Sequence, residues 1–412
     1  MRVRGSVVSV VLGGRVPPGL GGLLTSILTN FLALALFGLY FGPWLVTETN
    51  ASVGQVSAAY LVAGGAGVVG GYLGGRLADR FGPRRVVAAG ASVQVLACAG
   101  LLLPGIGAGT AAALLVAITG AQPVRGVAQR SALAGAAPTG RREVAFAGYR
   151  LAVNVGALLG PLIGAALLTG GWWVLHTGTV GLFAVSLLIG LRTAPGTAGP
   201  PGDATAAAGP SPTRSVLRDR RLWILFAATV TAWTVMYAYE RVLPIVLTQG
   251  HDVAPATWGL IYSLGPALVI LFQLRVTRWL SGLSSTSRLV TGVVVMGSAF
   301  LVLAVALDSL IGSVGVLALL VVLFIAGDLI WGPASEDAAV ALAPPGQRGA
   351  YLGVVTASVW LGSALAPGIG LPVWARFGEL ALWAGVAAVG VLSAGFYLAN
   401  GRTSRAAAEI SS

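Results

Sequence analysis

A few ionisable side chains stand inside long apolar stretches of this chain: Asp328, Glu240 with Arg241 beside it, Arg125 and Arg150. A charge at membrane depth costs about 2.5–3.5 kcal/mol on insertion scales, so a residue kept there points to proton or ion handling. Asp328 lies in Ala326-Gly-Asp-Leu-Ile-Trp331-Gly-Pro333, where Gly and Pro allow a bent helix around a cavity. It is the first candidate for proton coupling, with Glu240 after it. Glu240 has Pro244 downstream and reads equally well as a structural pair with Arg241 near an outer interface. Asn30, Asn154, Trp233, Tyr237, Trp331 and Trp360 fall near mid-depth and are candidate walls of one cavity, although each would also serve as ordinary packing.

Other chemistries lack their residues. The sequence contains no Lys, so neither a GxxxxGK[ST] phosphate loop nor a Schiff-base enzyme is available. His176 and His251 are far apart in the chain and propose no metal cluster. Cys98 is alone, which rules out an internal disulfide. No nucleophile stands in a recognisable catalytic setting. The expectation is therefore no enzyme, no nucleotide partner, no cofactor and no metal, with a proton gradient as the energy source.

The elements that must carry these residues follow from composition. Of 412 residues 56% are hydrophobic and 9% charged, against roughly 25% charged in soluble domains. A spanning helix needs about 20 apolar residues to cross a ~30 Å hydrocarbon core. Helices are required because each satisfies its own backbone where no water can. Such stretches occur at 19–44, 52–75, 86–105, 108–134, 144–168, 171–191, 222–248, 256–280, 289–309, 311–341, 350–373 and 380–400. The fold class is thus an all-α membrane protein with 12 transmembrane helices. The 60 Gly residues read as close helix approach in lipid.

Cytoplasmic segments keep positive charge during insertion. With the N-terminus inside, the arginines outside the spans fall on the cytoplasmic side, Arg376 excepted. The net charge of +12 is then explained by topology and anionic headgroups, with no nucleic-acid partner. Met1–Pro17, with Arg2, Arg4 and Arg15, reads as a cytoplasmic lead-in and not a cleaved signal. The Pro- and Gly-rich run from Thr193 to Asp203 marks a cytoplasmic linker, which gives an N-terminal half (1–191), a linker (192–221) and a C-terminal half (222–412).

The halves are related. Pro138, Gly140, Arg142, Gly156, Pro161 and Gly164 align without a gap to Pro344, Gly346, Arg348, Gly362, Pro367 and Gly370. Spans 5 and 11 are predicted to be equivalent helices of an internal repeat.

Two parallel six-helix repeats joined by a cytoplasmic linker resemble the major facilitator superfamily, whose halves rock about a midplane site. Gly75-Arg-Leu-Ala-Asp79-Arg80-Phe-Gly82-Pro83-Arg84-Arg85 is similar to its motif A, with Pro83 departing from the pattern. The resemblance implies that Asp79 latches onto the start of span 11 near Gly349, and that Arg84 and Arg85 face headgroups or acids of the other half. Gly156, Gly160, Pro161 and Gly164 resemble motif C of exporters working as antiporters, with Ala165 in place of its last Gly. Phe146-Ala-Gly-Tyr149-Arg150 through Asn154 is similar to the bacterial drug-exporter branch, and Arg125 stands roughly where motif B has its arginine, so the resemblance adds Arg125 to the proton-coupling candidates. Together these imply a proton-coupled exporter of a lipophilic or amphipathic small molecule, a monomer in a bacterial cytoplasmic membrane with both termini inside. The alternatives are a proton symporter importing a polar metabolite, and a transport-inactive scaffold or sensor.

Overall fold

The computed structural model describes residues 20–136, 142–193, 216, 218–306, 311, 313–344 and 347–411. Met1–Pro17, most of the 192–221 linker, and the turn at Pro138 and Gly140 lie outside the described residues. Regular structure among the described residues is helical, with no strand.

The first group of helices is α1 (Leu20–Thr49), α2 (Val53–Phe81), α3 (Pro83–Gly100), α4 (Ala108–Ala136), α5 (Arg142–Leu168) and α6 (Trp172–Thr193). The second is α7 (Arg220–Tyr237), a π-helical turn (Ala238–Val242), α8 (Leu243–Gly250), α9 (Pro255–Tyr262), α10 (Leu264–Trp279), α11 (Ser285–Ala299), α12 (Leu301–Val305), α13 (Val314–Leu342) and α14 (Arg348–Ser411). Helix ends carry local signals. Ser52 and Gln55 form a capping box at the start of α2, and Asp219 caps α7 by accepting the Arg221 N–H at 2.9 Å. α14 is broken at Gly378, whose φ of 82° no other residue type adopts without strain.

Ten of these stretches are long and apolar enough to cross a membrane. One of them, Tyr351–Arg402, contains the Gly378 break, and α3 is a further helix of 18 residues.

Within the first group α1 packs on α5 and α6, and α2 on α4; within the second α7 packs on α14, and α11 on α13. The repeat is visible in how two of these pairs meet. On α5 a β-carbon at Gly156 would lie 2.7 Å from the Phe31 Cβ of α1, and on α14 one at Gly362 would lie 2.6 Å from the Trp233 Cβ of α7. The absent side chain lets the backbones approach, which is the main attraction available where lipid is as apolar as leucine.

The groups touch through α2 with α14, α5 with α9 and α10, and α1 with the π turn and α8. The largest apolar cluster joins residues of both groups, such as Phe37, Tyr40, Trp44 and Tyr60 with Leu243, Ile245 and Trp258. Most of what the first group gives to it comes from the half of its helices toward Thr49 and Val53. At the Leu20 end the clusters around Leu23, Val87 and Leu222 each stay within one group. The molecule is therefore closed at its Thr49 end, and among the described residues the groups share no core at its Leu20 end.

Candidate transport cavity

Between the groups, at mid-length, lies a cavity of about 460 Å³. Its wall takes Phe31, Phe37 and Gly38 from α1, Tyr60 from α2, Thr119 and Gln122 from α4, Val153 and Ala157 from α5, Trp233 and Tyr237 from α7, Tyr262 from α9 and Trp360 from α14. Glu240 and Arg241 complete it. Successive residues of a regular helix point about 100° apart, so two neighbours seldom share one wall. Here the helix is widened: the Leu243 N–H donates to the Ala238 carbonyl five residues back. Pro244 has no N–H to continue the α-helical ladder, and the π turn sits just ahead of it.

The acid and the base take different partners. The Tyr262 hydroxyl donates to Glu240 Oε1 at 3.3 Å. The Arg241 guanidinium lies 4.8 Å from the Tyr237 ring centre and 5.1 Å from that of Tyr60, with Nη1 donating to the Ser363 carbonyl at 3.5 Å. Glu240 is thus a part of the cavity wall and not one side of a closed ion pair. Tyr239, behind it, stacks on Tyr262 and on Phe324 at 5.2 and 4.2 Å.

Trp233, Tyr237 and Trp360 line this cavity, and the other candidates lie outside its wall. Trp331 is buried behind Trp233, meeting it edge-on at 5.4 Å while its Nε1 donates to the Tyr397 hydroxyl at 3.1 Å. Asn154 is exposed and outside the wall, because the face of α5 toward the cavity is the one with Val153 and Ala157. Asp328, on α13, is also outside the wall; it is half-buried and senses Tyr239 and Tyr262 electrostatically.

Asn30 is fully buried against Arg125 and does not reach the cavity. Arg125 Nη1 donates to Asn30 Oδ1 at 2.6 Å and to Gln94 Oε1 at 2.7 Å, and Nη2 donates to Ser186 Oγ. Ser186 Oγ and Ser26 Oγ each donate to the other's carbonyl, at 2.5 and 2.7 Å. The guanidinium fork thereby ties α1, α3, α4 and α6 together through neutral acceptors, and no carboxylate meets it among the described residues.

In the 75–85 motif, Gly82 has φ 80° and donates to the Ala78 carbonyl at 2.9 Å, so one residue ends α2 and starts α3. Arg80 and Arg76 lie over the Phe81 and Tyr72 rings, while Asp79, Arg84 and Arg85 are exposed. Asp79 makes no hydrogen bond or ion pair among the described residues. In the 156–164 motif, Gly160 admits Ala35, and the Tyr40 hydroxyl donates to the Pro161 carbonyl at 2.8 Å. That motif is the α1–α5 seam.

Reasoning from sequence missed Tyr60, Gln122 and Tyr262, and did not count Arg241 as cavity wall. Pro244, one turn past the Glu-Arg pair, was the available signal for a widened turn. Nothing local marks Tyr60, since its role comes from a helix in the other group.

Residues 23–367 match the family model described as Major Facilitator Superfamily. The chain is similar to an uncharacterized MFS-type transporter of Mycobacterium tuberculosis strain H37Rv, 27% identical over 245 residues, which are 57% of this chain and 56% of that protein. A second such transporter of the same organism is 32% identical over 152 residues, 34% of this chain and 24% of its own length. The chain thus spans about half or less of the curated relatives it matches. Among solved structures, that of the POT family transporter PepTSo superposes with a TM-score of 0.79 at 14% identity, covering 94% of this chain and 98% of that one. An auto-inhibited POT family peptide transporter gives 0.78 at 15% identity, covering 94% and 97%. At these identities the likeness concerns the fold.

Proposed function

Since the chain belongs to the Major Facilitator Superfamily, a family of membrane transporters and not of enzymes, we propose that it is a proton-coupled antiporter. On this reading it exports a lipophilic or amphipathic small molecule by alternating access, through twelve spans with both termini in the cytoplasm. The observation that carries the proposal is the cavity itself, aromatic on most sides and wide enough for a drug-sized molecule. Its one acid and one base suit cargo of no net charge, because either charge unopposed would repel half of all ions. Export, as against import, rests on the resemblance of the α1–α5 seam to the antiporter motif.

Glu240 replaces Asp328 as the first candidate to carry the proton. It lies in the wall, where cargo and proton compete for one place, while Asp328 acts from behind through the tyrosines. One charge moved through 100 mV supplies about 2.3 kcal/mol, which sustains a neutral-cargo gradient of roughly fortyfold at ~1.4 kcal/mol per tenfold. Proton symport of a polar zwitterion is the second reading, favoured by Glu240 and Arg241 sharing one wall. Flux in proteoliposomes under an imposed pH gradient distinguishes the two. Cargo should move against the proton flow, and Glu240→Gln should abolish the gradient-driven component while Asp328→Asn reduces it. Cargo moving with the protons would establish symport, and full coupling in Glu240→Gln would return the role to Asp328.

A further inference from the structure

The Thr49 end of the cavity is shut by contacts between the two groups, and most of them are apolar fits. Leu61 sits on Gly368, Ile245 on Gly42, and Trp360 and Ala364 on Gly67 and Gly64. Such contacts hold a gate shut in proportion to buried area and carry no charge of their own.

One contact is different. Arg241 belongs to the second group, yet its guanidinium lies over Tyr60 of the first, at 5.1 Å, and over Tyr237 of its own, at 4.8 Å. Both distances are within the ~6 Å reach of a cation–π interaction. Each partner is held in place. Tyr60 is buried at 2% exposure and meets Phe41 edge-on at 6.4 Å. Tyr237 packs on Trp233 at 5.9 Å, and Nη1 reaches the Ser363 carbonyl of α14 at 3.5 Å. The guanidinium is thus anchored to the second group and lodged against a buried ring of the first, at the cavity's edge.

We propose that Arg241 is the clasp of the outer gate, holding the two groups together at the Thr49 end through the Tyr60 ring. The contact must break when that end opens, because Tyr60 moves with α2 and Arg241 with α7. The clasp is a positioning device: it sets how often the cavity faces outward and need not touch the cargo. It rests on the alternating access and orientation proposed above, and applies whichever molecule is carried, in whichever direction.

The test reads conformation in the full-length protein, without cargo. Gly38 lines the cavity and has open space where a side chain would start. Gly38→Cys is therefore a reporter of outer opening, and the native Cys98 is buried and silent. The measurement is the rate at which an impermeant maleimide added outside intact cells labels that cysteine. Tyr60→Leu and Arg241→Gln should each raise the rate by about 2- to 30-fold, the range expected of one cation–π contact. Tyr60→Phe keeps the ring and should label like the parent, and Tyr60→Leu with Arg241→Gln should exceed neither single change. An unchanged rate in both single variants overturns the clasp. So does a rise in Tyr60→Phe equal to that in Tyr60→Leu, which would make the hydroxyl the active group, and so does an additive double variant. If Tyr60→Leu fails to reach the membrane, Arg241→Gln and Arg241→Met at the half-buried position decide the matter by the same readout.

Discussion

Arg125 shows how one side chain can organise a helix group. A guanidinium offers five donors in a rigid fork, and here the fork meets oxygens from α1, α3 and α6. Each buried acceptor left without a donor costs about 1–3 kcal/mol. Arg125→Ala is accordingly expected to lower the melting temperature of the purified protein sharply. Arg125→Lys, a point charge without the fork, should recover only part of the loss. Tryptophan-fluorescence melting curves in detergent check the order. An alanine variant as stable as the parent would remove the network from any structural role. The sequence marked Arg125 as a candidate through its type and depth, but gave no sign that Asn30 would be its partner and not a cavity wall. That assignment depends on the rotation of α1 about its axis, which its packing against α5 and α6 fixes.

At the scale of elements, the α1–α5 seam is the sharpest case. A β-carbon at Gly160 would lie 2.6 Å from the Ala35 Cβ, closer than packed carbons come, whereas one at Gly181 on α6 meets nothing within 4 Å. Overpacking of this kind costs about 1–3 kcal/mol. Gly160→Val should therefore reduce folded yield and melting temperature while Gly181→Ala leaves both unchanged, as size-exclusion profiles of the solubilised variants will show. Equal damage from both would mean that glycine content, and not the seam, matters. The spacing of Gly156, Gly160 and Gly164 made a smooth helix face legible in the sequence, and the 206-residue offset to Gly362 and Gly370 announced an equivalent seam on α14. The π turn was less legible, because Pro244 says that the ladder breaks without saying which residues the wider turn will present.

For the whole molecule, the proposed alternating access makes the closed Thr49 end and the exposed Asp79 features of one of two states. A carboxylate at the start of α14 would be stabilised by that helix's N-terminal dipole, by about 0.3–1 kcal/mol at a surface position. The contact can form only when the Leu20 end closes. Asp79→Asn should then leave membrane insertion intact, slow turnover, and decrease outer labelling of Gly38→Cys, the opposite sign to the Tyr60 and Arg241 variants. Unaltered turnover and labelling would show that Asp79 latches nothing. Orientation is open to a simpler check. Ser211→Cys in the linker should resist an impermeant reagent in intact cells and react after permeabilisation, and labelling of intact cells would invert the topology.

What the sequence determined by itself was the solvent, the class and the family. Apolar runs of spanning length, the near one-sided arginines and the two motifs are local or additive properties, readable without knowing which helix meets which. The scarcity of charge had the same reach, since the few ionisable residues well inside apolar stretches already bounded where chemistry could occur. Tertiary structure decided which of them share a cavity. Asp328 and Glu240 look alike in the sequence, and Trp331 looks like Trp360, because a helix with apolar residues all round carries no periodic signal of which face turns inward. In lipid that choice is made by close packing between helices distant in the chain, and with it came Tyr60 against Arg241, a pairing across the two groups that no local pattern encodes.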